Sequence, residues 1–211
     1  MSYITDSWEL AAKTVIKKFE KRSMNAYYCA TKEEAKDKIL ELIPKGAVIT
    51  AGGSESMAEA GVMDAVKGPD YQFIDRTAGK DFQETREIYS KAVLADYFLM
   101  STNAFTEDGE LVNIDGMGNR VACLCYGPSH VIVLASMNKM CRTLDDAVNR
   151  AHTLACPPNA IRVKASTPCS KTGICADCLG SNSICCQTVI TRNSKVPGRI
   201  TVILVGEPLG F

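Results

Sequence analysis

The chain has 211 residues, 46% of them hydrophobic, which is enough for one large packed domain or a domain with a small appendage. Lys+Arg and Asp+Glu both total 24, so the formal net charge is zero and no global field favours nucleic acid or an anionic membrane. No long charge block, low-complexity tract or repeat is present, and apolar runs such as Val131–Ala135 and Ile200–Val205 are too short to span a bilayer.

In chain order, Asp6 or Ser7 is expected to cap a helix running to about Lys21, with Trp8, Ala11, Ala12, Val15 and Phe19 on its apolar face. This start reads as an amphipathic helix rather than a signal peptide, which places the protein in the cytoplasm. Ala26–Ala30 reads as a strand. Thr31 and Glu34 form a capping box for a helix carrying Ala35, Ile39, Leu42 and Ile43, stopped by Pro44. Ala47–Thr50 reads as a buried strand leading through Gly52-Gly53-Ser54 into another short helix. Tyr71–Ile74 and Tyr97–Met100 are further strands, with a helix over Gln83–Leu94 between them. Asp108-Gly109 marks a tight turn, and Gly116 and Gly118 a second bend. Val131–Ala135 is a buried strand, and Leu144–Leu154 a helix capped by Thr143. After Pro157-Pro158 and a short helix comes a cysteine-rich segment, residues 166–188, read as a flap. Thr188–Thr191 and Arg199–Val205 are expected to close the chain as a hairpin. Strands alternating with helices predict a single α/β domain with a mostly parallel sheet.

Three segments carry candidate chemistry. At Gly52, Gly53, Ser54 and Ser56, glycines let a ligand approach the backbone, and N–H groups at a helix start attract phosphate or carboxylate. An ordinary strand-to-helix turn capped by Ser54 explains the same residues equally well. Between Asn103 and Arg120, the residues Asn103, Asp108, Gly109, Asn113, Asp115, Gly116 and Asn119 could order a ligand. Arg120 could clamp its carboxylate or phosphate, and Glu107 could serve as nucleophile or base. Turn chemistry alone also favours Asp, Asn and Gly there.

Ten cysteines are present. Cys169-x5-Cys175-x2-Cys178-x6-Cys185 has the spacing of a four-thiolate shell, suited to an iron–sulfur cluster or, alternatively, zinc. Free thiols or a disulfide are the remaining readings, and Cys186 has no assigned role. Cys29, Cys123, Cys125, Cys141 and Cys156 read as small buried apolar residues. His130 and His152 read as structural.

The Gly52-Gly53-Ser54 turn, the block Asn-Ala-x-Thr-Glu-Asp-Gly-x-Leu-x-Asn-x-Asp-Gly-x-Gly-Asn-Arg ending at Arg120, Tyr126-Gly127-Pro128 and the closing Gly198–Glu207 segment resemble the LUD family, named for lactate utilisation. The likeness runs from about residue 6 to 211 and is to the short, lactate-utilisation-protein-C-like branch. It implies a Rossmann-like sheet similar to the sugar-phosphate isomerase and coenzyme A transferase group, with an added subdomain. It also implies service to a multi-subunit, iron–sulfur-containing system that oxidises lactate or a related organic acid; the cysteine run, on which the spacing leads us to expect a 4Fe–4S cluster, marks a divergent branch. Self-association is left open. The alternative is a stand-alone enzyme acting on a sugar phosphate or acyl-thioester, with Glu107 catalytic, as a glutamate is in the related transferases, and zinc structural.

Overall fold

The computed structural model describes residues 3–211. Helix α1 (Tyr3–Lys21) starts before its expected cap, so Asp6 lies in its first turn and Ser7 Oγ donates to Ile4 O instead of capping. Strand β1 (Asn25–Cys29) leads to α2 (Lys32–Leu42), where Thr31 Oγ1 accepts from Glu34 N at 3.2 Å. Strand β2 (Val48–Ala51) runs into the short helices α3 (Glu55–Glu59) and α4 (Val62–Val66). Strand β3 (Gln72–Ile74), helix α5 (Phe82–Val93) and strand β4 (Tyr97–Met100) follow.

A hairpin of β5 (Ala104–Thr106) and β6 (Leu111–Asp115) comes next, its turn closed by Gly109, whose φ of +83° suits glycine. Helix α6 (Asn119–Cys125), unexpected among so many turn residues, precedes β7 (His130–Ser136). Strand β8 (Met140–Cys141) leads to α7 (Leu144–Arg150), which opens on a capping box between Thr143 and Asp146. A wide π turn over Ala151–Ala155 joins it to α8 (Cys156–Arg162), then come α9 (Pro168–Thr172), β9 (Gln187–Thr191) and β10 (Ile200–Val205).

The main sheet has the order β1-β10-β7-β4-β2-β3, and every pairing in it is parallel. Helices cover both faces, as the near-continuous apolar runs of its central strands require. Along β7, Val131, Val133 and Ala135 pack with Phe19 of α1 on one side, while Ile132 and Leu134 pack with Ile39 of α2 on the other. The second sheet, β8-β5-β6-β9, forms a subdomain under α7.

The expected closing hairpin does not form. β9 pairs antiparallel with β6 at the edge of the small sheet, whereas β10 inserts between β1 and β7. The reason lies in burial: all six residues of β10 are buried, while β9 is largely exposed. Among the described residues, no helix is long and apolar enough to cross a membrane.

Candidate functional site

Strand β2 sends the chain outward to β3, whereas β4, on its other side, sends it toward β7. Connections leaving in opposite directions open a crevice at the carboxyl ends of the strands. A cleft of about 260 Å³ lies there. Each nearby strand delivers polar residues just past its end: Gly53, Ser54 and Ser56 after β2, Arg76 after β3, Ser101 and Asn103 after β4, and Lys139 after β7. Asp115, Gly116, Asn119 and Arg120 form the facing wall, and Asn159 and Arg162 of α8 complete the rim.

The two expected ligand segments therefore meet, but individual residues depart from their expected roles. Gly52 lies behind the wall, where an added Cβ would meet Arg120 Cδ at 3.1 Å. Asn113 is also behind it, fully buried, with Oδ1 accepting from Arg120 and Nδ2 without a partner among the described residues. Glu107, Asp108 and Gly109 do not line the cleft. They form the β5–β6 turn, where Asp108 pairs with Lys18 at 2.8 Å, the Gly109 Cβ position would meet the α1 backbone, and Glu107 is exposed.

Arg120 is a clamp on the protein itself. Its Nε reaches Asp115 at 3.2 Å; Nη1 donates to Asn113 Oδ1 and Ser101 O; Nη2 donates to Asn103 Oδ1 and Ile114 O. Four guanidinium N–H groups are thereby hydrogen-bonded and Nε faces the Asp115 carboxylate, so Arg120 braces the wall. Ser54 likewise acts as an N-cap, accepting from Met57 N at 3.2 Å on a helix of one and a half turns. Anion attraction therefore rests on side-chain cations, not on that helix start.

Those cations are Arg76, Lys139 and Arg162, which sequence reading passed over because they are dispersed along the chain. Their common signal was position, since Arg76 and Lys139 fall within three residues of a strand's carboxyl end. Arg76 donates to Ala51 O and Tyr89 Oη, and its Nη2, without a hydrogen bond among the described residues, lies beside Gly53. Tyr89 Oη is in turn held by Asn119 Nδ2. Arg162 bonds Asn159 and lies 3.4 Å from Glu55, with Nη1 unbonded among the described residues, again beside Gly53. An added Cβ on Gly53 would lie 2.8 Å from Arg76 Nη2 and 3.2 Å from Arg162 Nη2, so both guanidinium groups lie against the loop.

Lys139 is 3% exposed, and its Nζ lies 2.9 Å from Ser56 Oγ and 3.0 Å from Ser101 Oγ. No carboxylate pairs with it among the described residues, and burial, reinforced by Arg150, lowers its pKa to about 7. Asp115 neutralises Arg120 and Glu55 offsets Arg162, whereas among the described residues Arg76 and Lys139 form no ion pair. Such a cleft can hold a small anion, and near neutrality its amine can either donate to that anion or take up a proton.

A second, smaller pocket of about 30 Å³ is lined by Cys169, Cys175, Cys178 and Cys185, with His152 and Cys156. The cysteine run is thus brought together, although among the described residues no three His, Cys, Asp or Glu side chains converge as on a single ion. All ten cysteines are free. Cys156 and Cys185 touch at 3.4 Å; their hydrogen bond holds Cys185 down to about 7 and pushes Cys156 up. Cys125, expected inside, is exposed. Ile184 lines both pockets, its backbone lies 3.3 Å from the Cβ position of Gly116, and Cys186 N donates to Asp115 O.

Fold and crevice together define a Rossmann-like α/β domain with a small β subdomain. The chain belongs to the LUD domain family, whose model matches residues 12–205. A DUF162 family protein from Deinococcus radiodurans has a similar fold, with a TM-score of 0.52 at 12% identity, covering 97% of this chain and 99% of that one. More partial likenesses are to the eIF2B-beta2-delta2 complex of C. thermophilum (TM-score 0.38, 18% identity, 53% of this chain and 42% of that one) and to eIF2B delta from Chaetomium thermophilum (0.36, 15%, 68% and 57%). No curated protein sequence matches the chain.

Proposed function

We propose that this LUD-family protein binds a small organic acid, lactate or a close relative, in the cleft between the β2 and β4 loops, and serves its oxidation as a cytoplasmic subunit. The observation that carries this reading is that Arg76 and Lys139, which form no ion pair among the described residues, face Gly53 and Ser56 in one crevice. Arg76, with Arg162, would hold the carboxylate through its unbonded N–H groups. Lys139, kept between Ser56 and Ser101, would hydrogen-bond the adjacent hydroxyl or carbonyl oxygen. An inorganic or sugar phosphate fits the same donors, and a binding comparison separates the two.

The cysteine run would hold a 4Fe–4S cluster through Cys169, Cys175, Cys178 and Cys185, with zinc as the alternative. Four soft ligands lining one enclosed pocket support that fit. A cluster there would supply one-electron transfer and suit a partnership with other iron–sulfur subunits. Ten free cysteines suit a reducing compartment. The rival reading, an enzyme with Glu107 catalytic, draws no support from the cleft, because Glu107 lies on the β5–β6 turn.

Calorimetric titration of the purified protein with lactate, the corresponding 2-oxo acid and inorganic phosphate tests the reading. Saturable binding of the organic acids, weakened by about 1.5–3 kcal/mol in Arg76→Ala, is expected. Binding of phosphate alone would shift the assignment to phosphorylated ligands.

A further inference from the structure

The small thiol pocket draws on two separate parts of the chain. Cys169, Cys175, Cys178 and Cys185 come from α9 and the irregular stretch after it, whereas Cys156 is the first residue of α8. Resting on the reading of the cysteine run above, we propose that Cys156 is one of the four ligands of a thiolate metal centre in this pocket, taking the place of one of the run's cysteines and so tying the run to the body of the domain.

The contact of 3.4 Å between Cys156 and Cys185 brings these two sulfurs to neighbouring-ligand distance: at a metal–sulfur bond of about 2.3 Å, tetrahedral ligands lie roughly 3.8 Å apart. Cys156 directly follows the π turn at Ala151–Ala155; such turns recur at functional sites. Between Cys175 and Cys178, Asp177 adopts a left-handed conformation (φ +46°), folding the Cys-x2-Cys pair back so that both residues line the pocket.

The run is otherwise held at only a few points: Cys169 is buried in α9, the Ile184 backbone lies against Gly116, and Cys186 N donates to Asp115 O. From Gly173 to Cys186 there is no helix or strand, and two of its three large apolar side chains face outward, Leu179 94% and Ile174 73% exposed, while Ile184 lines the pockets. A segment that buries so little apolar surface gains order from a metal crosslink to a helix, because binding energy at such a centre is folding energy. A shell confined to the run would knot the flap onto itself; including Cys156 fastens it to α8.

The test uses the full chain purified without oxygen, with zinc chloride, or ferrous iron plus sulfide, as probes. The wild-type protein is expected to take up metal stoichiometrically. Acid-labile sulfide and visible absorption identify a cluster, and a colourless zinc complex identifies a single ion; either supports the site. Cys156→Ser should lower metal affinity at least about tenfold, no less than losing a partner outside the shell does, while Cys125→Ser leaves it unchanged. A crystal structure of the loaded wild-type protein, which requires no variant to fold, should show anomalous scattering at bonding distance from Cys156 Sγ. Undiminished loading in Cys156→Ser, beside lost loading in Cys178→Ser, would remove Cys156 from the shell and leave the run's own reading intact. A wild-type protein that takes up neither iron nor zinc would overturn both.

Discussion

Lys139 sits where an ammonium is costly, held by two hydroxyls and, among the described residues, ion-paired with no carboxylate. With its folded pKa near 7 and its ordinary value at 10.5, the unfolded chain holds more protons between those values. Stability should therefore rise as pH increases through that window. Lys139→Met should flatten the rise, as pH-dependent denaturant titrations would detect; an unchanged slope would show that another group causes it. Anion affinity should run the other way, falling as pH climbs through 7 and the amine loses its charge. Arg120 behaves differently from its sequence-based expectation as a ligand clamp. Arg120→Ala should cost about 3–5 kcal/mol of stability, because Asp115 is left as a buried charge without its partner. A variant as stable as the parent but unable to bind ligand would instead restore Arg120 to the ligand site.

The two strands mistaken for a hairpin differ in energetic weight. Ile203 on β10 is fully buried between β1 and β7, whereas Ile190 on β9 is 42% exposed. Ile203→Ala should cost about 2–5 kcal/mol and Ile190→Ala well under half of that, read from urea midpoints. Equal costs would contradict the central placement of β10. Local signals carried most elements: Thr31 and Thr143 as caps, Asp108-Gly109 as a turn, and Tyr97–Met100 as a strand were all legible. Pairing was not, because adjacency along the chain suggests a hairpin while the match of buried faces decides the partner. Helix α6 was hidden by the glycines before it; Gly118, at φ +81°, lets the chain turn into it.

At the scale of the whole molecule, the parallel sheet makes one functional edge from residues distant in sequence. The meeting of Gly53 with Asp115, Asn119 and Arg120 could be anticipated, since both segments follow strands. Arg76, Lys139 and Arg162 could not be selected from the many other cations without knowing the strand order. The thiol pocket abuts this edge, for Ile184 belongs to both walls and Cys186 N holds Asp115 O. Metal loading should therefore change organic-acid affinity, and identical titrations of loaded and chelated protein would show the two sites to be independent.

The central claim is that the cleft at the carboxyl ends of β2 and β4 holds a small organic anion. Titration calorimetry with lactate at pH 6 and pH 8, on the parent protein and on Arg76→Ala and Lys139→Met, tests it most directly. Saturable binding is expected, tighter at pH 6, weakened in Arg76→Ala and stripped of its pH dependence in Lys139→Met. Binding that is absent in the parent, or unaffected by both substitutions, would contradict it.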